Sequence, residues 1–242
     1  MYIIHQMNLS ILSLILFIVL TLAYAILKYF VDNKAVTVIY FALVFITQFF
    51  LNLSLTNQIC GFKQPALAFT TTLFPWTIIF GSLSVMFMMF PGWKSPFSNT
   101  FGYLAARVGG IKDAFNAILP SKISNKALQA IYEDNSLMIN EITPANFGDF
   151  WTKMQTSGML SASVPAEAKE RLYKLVRMKD IVAEFVWYLL AGVLISSITF
   201  SYISNSKCKR SAEFMKQQHE EWKKDANKGE KKKKDKVYYV RD

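Results

Sequence analysis

LSILSLILFIVLTLAYAILKYF, Leu9 to Phe30, is a run of 22 residues with a single charge, Lys28, near its end. At about 1.5 Å per residue it makes a helix of roughly 33 Å, enough to cross a hydrocarbon core of about 30 Å. Lys28 is expected to snorkel to the membrane surface. AVTVIYFALVFITQFFLNL, Ala35 to Leu53, follows after only Val31-Asp32-Asn33-Lys34, so the first two helices are expected to form a tight antiparallel hairpin. A third apolar run, Leu67 to Phe90, contains Pro75, whose missing N–H and bulky ring predict a kink. Neighbouring helices, or Thr71 and Thr72, would satisfy the carbonyls so freed. The fourth run, Ile181 to Ile203, has one charge, Glu184, about a turn from its start.

Composition agrees with these runs. Hydrophobic residues make up 52% of the 242 and charged ones 18%, with a mean hydropathy of +0.24, whereas a soluble domain carries about 25% charged residues. The apolar residues are bunched into spanning lengths rather than spread at amphipathic spacing. The expected fold class is therefore all-α: a polytopic integral membrane protein with four transmembrane helices and a helical extramembrane segment between spans 3 and 4. Residues 1–65 would form the hairpin, with spans at about 9–30 and 35–53 and a connecting loop. Residues 66–90 would be the third span, 91–180 the extramembrane segment, 181–203 the fourth span and 204–242 a basic tail. The chain shows no inverted repeat of the transporter kind. Ala23-Tyr24-Ala25 looks like a signal-peptidase site, but Met1 to Asn8 carry no Lys or Arg, so the first run is expected to be retained.

Outside the spans the chain still reads as helical. Helices are expected from Tyr103 to Leu119, weakened at Gly109-Gly110, and from Asn125 to Glu133. Thr143 as N-cap with Pro144 next predicts a third, on which Phe147, Phe150, Trp151 and Met154 fall at i, i+3, i+4 and i+7. That stripe must be buried, within its own segment or against a partner, so these four are interaction candidates. A further helix is expected from about Pro165 straight into the fourth span, and a weakly amphipathic one from Ser211 to Ala226. Trp93, Phe97 and Phe101 read as membrane-interface anchors where the third helix leaves the bilayer.

Four crossings place both termini and the loop Ser54 to Ala66 on one side. The tail from Ser204 holds 13 Lys or Arg against 7 Asp or Glu, including Lys231, Lys232, Lys233 and Lys234. The long segment holds 11 against 8, spread over 90 positions where translocation responds less to charge. The tail is thus expected to be cytosolic, with Cys60 and Cys208 on that reducing side and no disulfide framework. Its charge suits a solvated topology signal, anionic lipid or nucleic acid.

Catalytic chemistry is missing from the pattern. The two histidines, His5 and His219, stand near the termini, and no metalloprotease, nucleophile-elbow, phosphate-loop or paired-cysteine spacing occurs. No enzyme, cofactor, metal site or small-molecule substrate is expected. The intramembrane polar residues are Gln48, Asn52 and Glu184. Gln48 and Asn52 share a helix face and suit interhelical hydrogen bonds. Glu184 suits an interfacial carboxylate reaching the headgroups, or less readily a proton or cation site. A small ion channel or transporter using Gln48, Asn52, Pro75 and Glu184 would need these groups to converge.

Particular strings point further. Phe74-Pro75-Trp76-Thr77-Ile78-Ile79-Phe80-Gly81, then Met89-Phe90-Pro91-Gly92-Trp93-Lys94-Ser95-Pro96-Phe97-Ser98-Asn99-Thr100-Phe101-Gly102-Tyr103, form one block. Trp187-Tyr188-Leu189-Leu190-Ala191-Gly192 and Tyr202-Ile203-Ser204-Asn205-Ser206-Lys207-Cys208 form another. Over most of residues 65 to 222 the sequence resembles a family of membrane-spanning virion proteins, minor capsid components of large nucleocytoplasmic DNA viruses of algae and protists. The resemblance implies a structural protein of the giant-virus particle that joins the internal virion membrane to the capsid shell. It also implies other capsid proteins as partners and a membrane derived from the host endoplasmic reticulum.

Overall fold

A backbone in lipid has no water to bond, so an apolar run of spanning length closes its hydrogen bonds within itself as a helix. In the computed structural model the first two runs become α1, Tyr2–Phe30, and α2, Lys34–Cys60. Residues 2–31, 33–120, 134–161, 163–206, 208, 215–217 and 219–223 are described. Asp32, the helix expected over Asn125 to Glu133, and Lys231 to Lys234 lie outside them. Among the described residues the regular elements are all helical, and four helices are long and apolar enough to cross a membrane: Leu9–Phe30, Ala35–Cys60, Pro65–Met89 and Ala168–Ser204.

The Asn33 side chain caps α2 by accepting the Ala35 N–H at 2.9 Å. At its other end α2 runs past the expected Leu53 to Cys60, where Gly61 turns left-handed at φ 72° and stops it. Pro75 does not break the third candidate span. Instead α3, Pro65–Pro75, passes through a π-turn over Trp76–Phe80 into α4, Gly81–Met89. The carbonyl that Pro75 leaves unbonded, Thr71 O, accepts the Thr199 hydroxyl from another helix at 3.4 Å. Thr71 and Thr72 turn their hydroxyls back to Leu67 and Ala68 carbonyls. The neighbouring helix, not the local threonines, therefore supplies the missing donor.

A 3₁₀ turn over Pro91–Lys94 leads into a helical stretch earlier than the expected Tyr103. It comprises α5, Ser95–Phe97, a π-turn, Ser98–Gly102, and α6, Tyr103–Val108. Gly109-Gly110 ends it, with Gly110 at φ 91°, and α7 follows over Ile111–Ile118. Next come α8, Asn135–Asn140, and α9, Phe147–Thr156. The start of α9 falls later than a Thr143 cap predicts. Thr143 N–H donates to Asn146 Oδ1 at 2.7 Å and Asn146 N–H to Thr143 Oγ1 at 3.3 Å, so the pair closes a turn before the helix begins. The last helix of this unit, α10, runs unbroken for 37 residues over Ala168–Ser204, starting 13 residues before the apolar run Ile181 to Ile203.

Two apolar cores share α10. In the first, Phe147, Trp151 and Met154 of α9 pack with Ile111, Phe115 and Ile118 of α7, Ile139 of α8, and Leu172 and Val176 of α10. Each such side chain contributes about 1.5–3 kcal/mol by leaving water. The aromatic stripe thus faces its own segment, with Phe150 half-buried at the edge. The second core joins Phe17, Tyr24, Tyr40, Val44, Trp76, Phe80, Tyr188 and Ile195 of the candidate spans. The tip of the Phe17 ring points at Gly192, where a Cβ would come within 2.0 Å of it, so α1 and α10 approach closely there.

The chain divides after Ser204. In the second unit residues 215–217 and 219–223 are helical, inside the stretch expected as a tail helix, and His219 stacks on Trp222. Cys60 and Cys208 are both disulfide-bonded, contrary to the expectation of reduced thiols.

Candidate functional site

Two spacings on α1 build the polar site. Tyr24 and Lys28, four residues apart, share a face, and the close approach at Phe17 and Gly192 turns that face toward Glu184 of α10. Lys28 Nζ lies 2.7 and 2.8 Å from the two Glu184 carboxylate oxygens and 3.0 Å from Tyr24 Oη. Tyr24 donates its own hydroxyl to Glu184 Oε1 at 2.6 Å. Glu184 is only 5% exposed. It is held between helices by Lys28, whose own side chain is 26% exposed. A lone charge in hydrocarbon costs several kcal/mol, and pairing the two removes most of that penalty.

Hydroxyls extend the cluster. Tyr24 Oη lies 3.1 Å from Thr37 Oγ1 of α2, and its ring stacks on Tyr40 at 4.3 Å. Tyr40 Oη pairs with Thr21 Oγ1 at 2.9 Å, and Thr21 donates back to Phe17 O. Tyr188, one turn beyond Glu184, stacks on Phe80 and meets Ser84 Oγ at 3.4 Å. Arg177 closes the top by donating to Lys28 O at 2.7 Å, placing a cation at the carbonyl end of α1.

Gln48 and Asn52 belong to a different layer. Gln48 ties α2 to α1 by accepting the Ser13 hydroxyl at 2.7 Å and donating to Ser13 O at 3.3 Å. Asn52 ties α2 to α3 by donating to Thr72 Oγ1 at 2.8 Å. Beside them Ser10, Ser13, Gln48, Asn52 and Ser196 line a cavity of about 20 Å³, room for one water. Between the layers lies an aromatic plug of Phe17, Trp76 and Phe80, with centroids 5.0 to 6.1 Å apart. Glu184 above this plug and Gln48 and Asn52 below it do not converge. Pro75 lines a separate groove with Phe74, Ile198 and Tyr202.

At the upper end, α10 gathers the chain that leaves α4. Lys94 Nζ pairs with Asp180 Oδ2 at 2.5 Å, Trp187 Nε1 donates to Trp93 O at 3.1 Å, and Phe97 packs on the Trp187 ring at 4.8 Å. Of the three expected anchors, Phe97 is therefore half-buried against α10, while Trp93 and Phe101 are exposed. Lys179 was not singled out by the sequence reading, yet it is fully buried. Its ammonium donates to Ile139 O at 2.5 Å and Asn99 Oδ1 at 3.3 Å, pinning α8 and the π-turn to α10. Gly102 makes this possible, because a Cβ there would come within 2.4 Å of Lys179 O.

The Lys28 and Glu184 pairing had one signal in the sequence: each is the single charge in its apolar run, and each lies near the same end of the bundle. Among the described residues no three His, Cys, Asp or Glu side chains gather as metal ligands. Compared with protein families, curated proteins and solved structures, the chain finds no match.

Proposed function

We propose that this chain is a structural integral membrane protein, whose four spans hold a helical module against the bilayer for attachment to a shell. The observation that carries the reading is α10: one helix of 37 residues is at once part of the module core and the fourth candidate span. A load on the module passes into the bundle without crossing a loop. The bundle is closed in keeping with such a role. Lys28 and Glu184 pair across helices, Gln48 and Asn52 bond Ser13 and Thr72 across helices, and an aromatic plug lies between the two layers. That arrangement suits an anchor better than a channel built on Gln48, Asn52, Pro75 and Glu184.

The finer proposal is a minor capsid component that fastens a virion's internal, host-derived membrane to its capsid. It draws its support from the strings around Phe74 to Tyr103 and Trp187 to Cys208 and from the module, and names other capsid proteins as partners. The basic tail would touch anionic headgroups or nucleic acid. Quantitative mass spectrometry of purified particles tests it. The chain is expected at a copy number fixed by the symmetry of the shell, and its absence from particles rejects the capsid role.

A further inference from the structure

We propose that the helical stretch 95–108 is a membrane-interface element, and that its outward ridge lies in the headgroup and outer acyl region of the bilayer. This rests on the membrane reading of the four long helices and not on the capsid role.

Phe101, Leu104 and Val108 recur at i, i+3 and i+7, which gathers them within an arc of roughly 60°. They are 53%, 57% and 84% exposed, an apolar ridge that no other described residue covers. Thr100 and Arg107 flank it as exposed polar residues, the pattern of a helix that meets acyl chains on one side and headgroups on the other. The opposite face is committed to α10. Ser98, Gly102 and Ala106 are buried there, and Gly102 sits directly on the Lys179 backbone.

Position identifies the occupant. The start of the stretch stands beside Asp180 and Trp187, at the beginning of the apolar run of α10, and its end, at Gly109, touches Leu175 and Met178. Its contacts on α10 thus run from the apolar run to the residues just before it, level with the membrane boundary. In the chain the ridge follows the exposed apolar residues at the end of the third candidate span, Met88, Met89, Phe90 and Trp93, which face lipid if that helix spans. An uncovered apolar ridge at the depth of the boundary fits the bilayer. Residues 95–108 therefore belong with the membrane, and the extramembrane module begins near Gly109.

Collision accessibility of spin labels tests this on the full chain in phosphatidylcholine vesicles containing phosphatidylglycerol. Both native cysteines are disulfide-bonded, so Leu104→Cys and Val108→Cys, made singly, each add a thiol that labels without reduction. Leu22→Cys on the exposed face of α1 is the lipid reference, and Asp149→Cys on the exposed face of α9 the aqueous one. The expected result is an oxygen-to-nickel accessibility ratio at Leu104 and Val108 several-fold above that at Asp149 and below that at Leu22. Nickel accessibility equal to that at Asp149 overturns the proposal in favour of a ridge in water. Protection from both reagents overturns it in favour of a protein cover, including a second copy of the chain. If Leu22 itself is open to nickel, the membrane reading falls and the proposal with it.

Discussion

Three donated hydrogen bonds converge on the Glu184 carboxylate between helices, two from Lys28 and one from Tyr24. Removing one charge leaves the other without a counter-ion. Glu184→Gln should therefore cost about 1–3 kcal/mol, discounted because the Lys28 side chain keeps some access to the surface. The double variant Lys28→Met with Glu184→Met should recover most of that loss, since two apolar side chains need no partner. Thermal unfolding of the detergent-solubilised chain reads both. A double variant as unstable as the single one would show that the pair acts through something other than charge.

Pro75 shows how a residue's defect becomes a property of its element. Its missing N–H is offset by Thr199 of α10, so Thr199→Val should destabilise the protein by about 0.5 kcal/mol beside Pro75 and by almost nothing beside Pro75→Ala. A double-mutant cycle on thermal stability that gives no coupling would remove Thr199 from that role. Gly102 makes the opposite kind of demand, for absence. In Gly102→Val the new Cβ meets a backbone oxygen that cannot swing aside, so stretch 95–108 should lift from α10. Trypsin should then cut at Arg107 and Lys112 several-fold faster, while peptides of α1 and α2 stay protected. An unchanged cleavage pattern would place the clash elsewhere.

These elements also mark what a sequence can disclose. The long helices were legible because lipid imposes length and apolarity on any spanning segment, and the core of α9 because its stripe keeps the helical period. The start of α9 was not, since the exchange between Thr143 and Asn146 uses up the capping group three residues early. Nor was the partnership of Lys28 with Glu184, whose separation of 156 residues leaves no trace in local spacing. Lys179 stayed hidden for the same reason: its acceptors, Ile139 O and Asn99 Oδ1, are known only once the helices are placed.

For the molecule as a whole, four crossings require the module and the loop after α2 to lie on opposite faces of the bilayer. Ser136→Cys in α8 and Lys63→Cys after α2, made singly with Cys60 and Cys208 replaced by Ser, should react with a membrane-impermeant thiol reagent from opposite sides of sealed vesicles. Reaction from the same side would rule out an odd number of crossings between them.

The unbroken course of α10 has a mechanical consequence. At 1.5 Å per residue its 37 residues reach about 55 Å, so a change of about 10° in the tilt of the membrane-embedded end sweeps the far end through roughly 10 Å. Tilt is how a helix answers a thinner or thicker bilayer. Through this lever, local bilayer thickness sets where the module at Ala168 stands along the membrane plane, so a partner held by it would be moved sideways far more than away from the lipid.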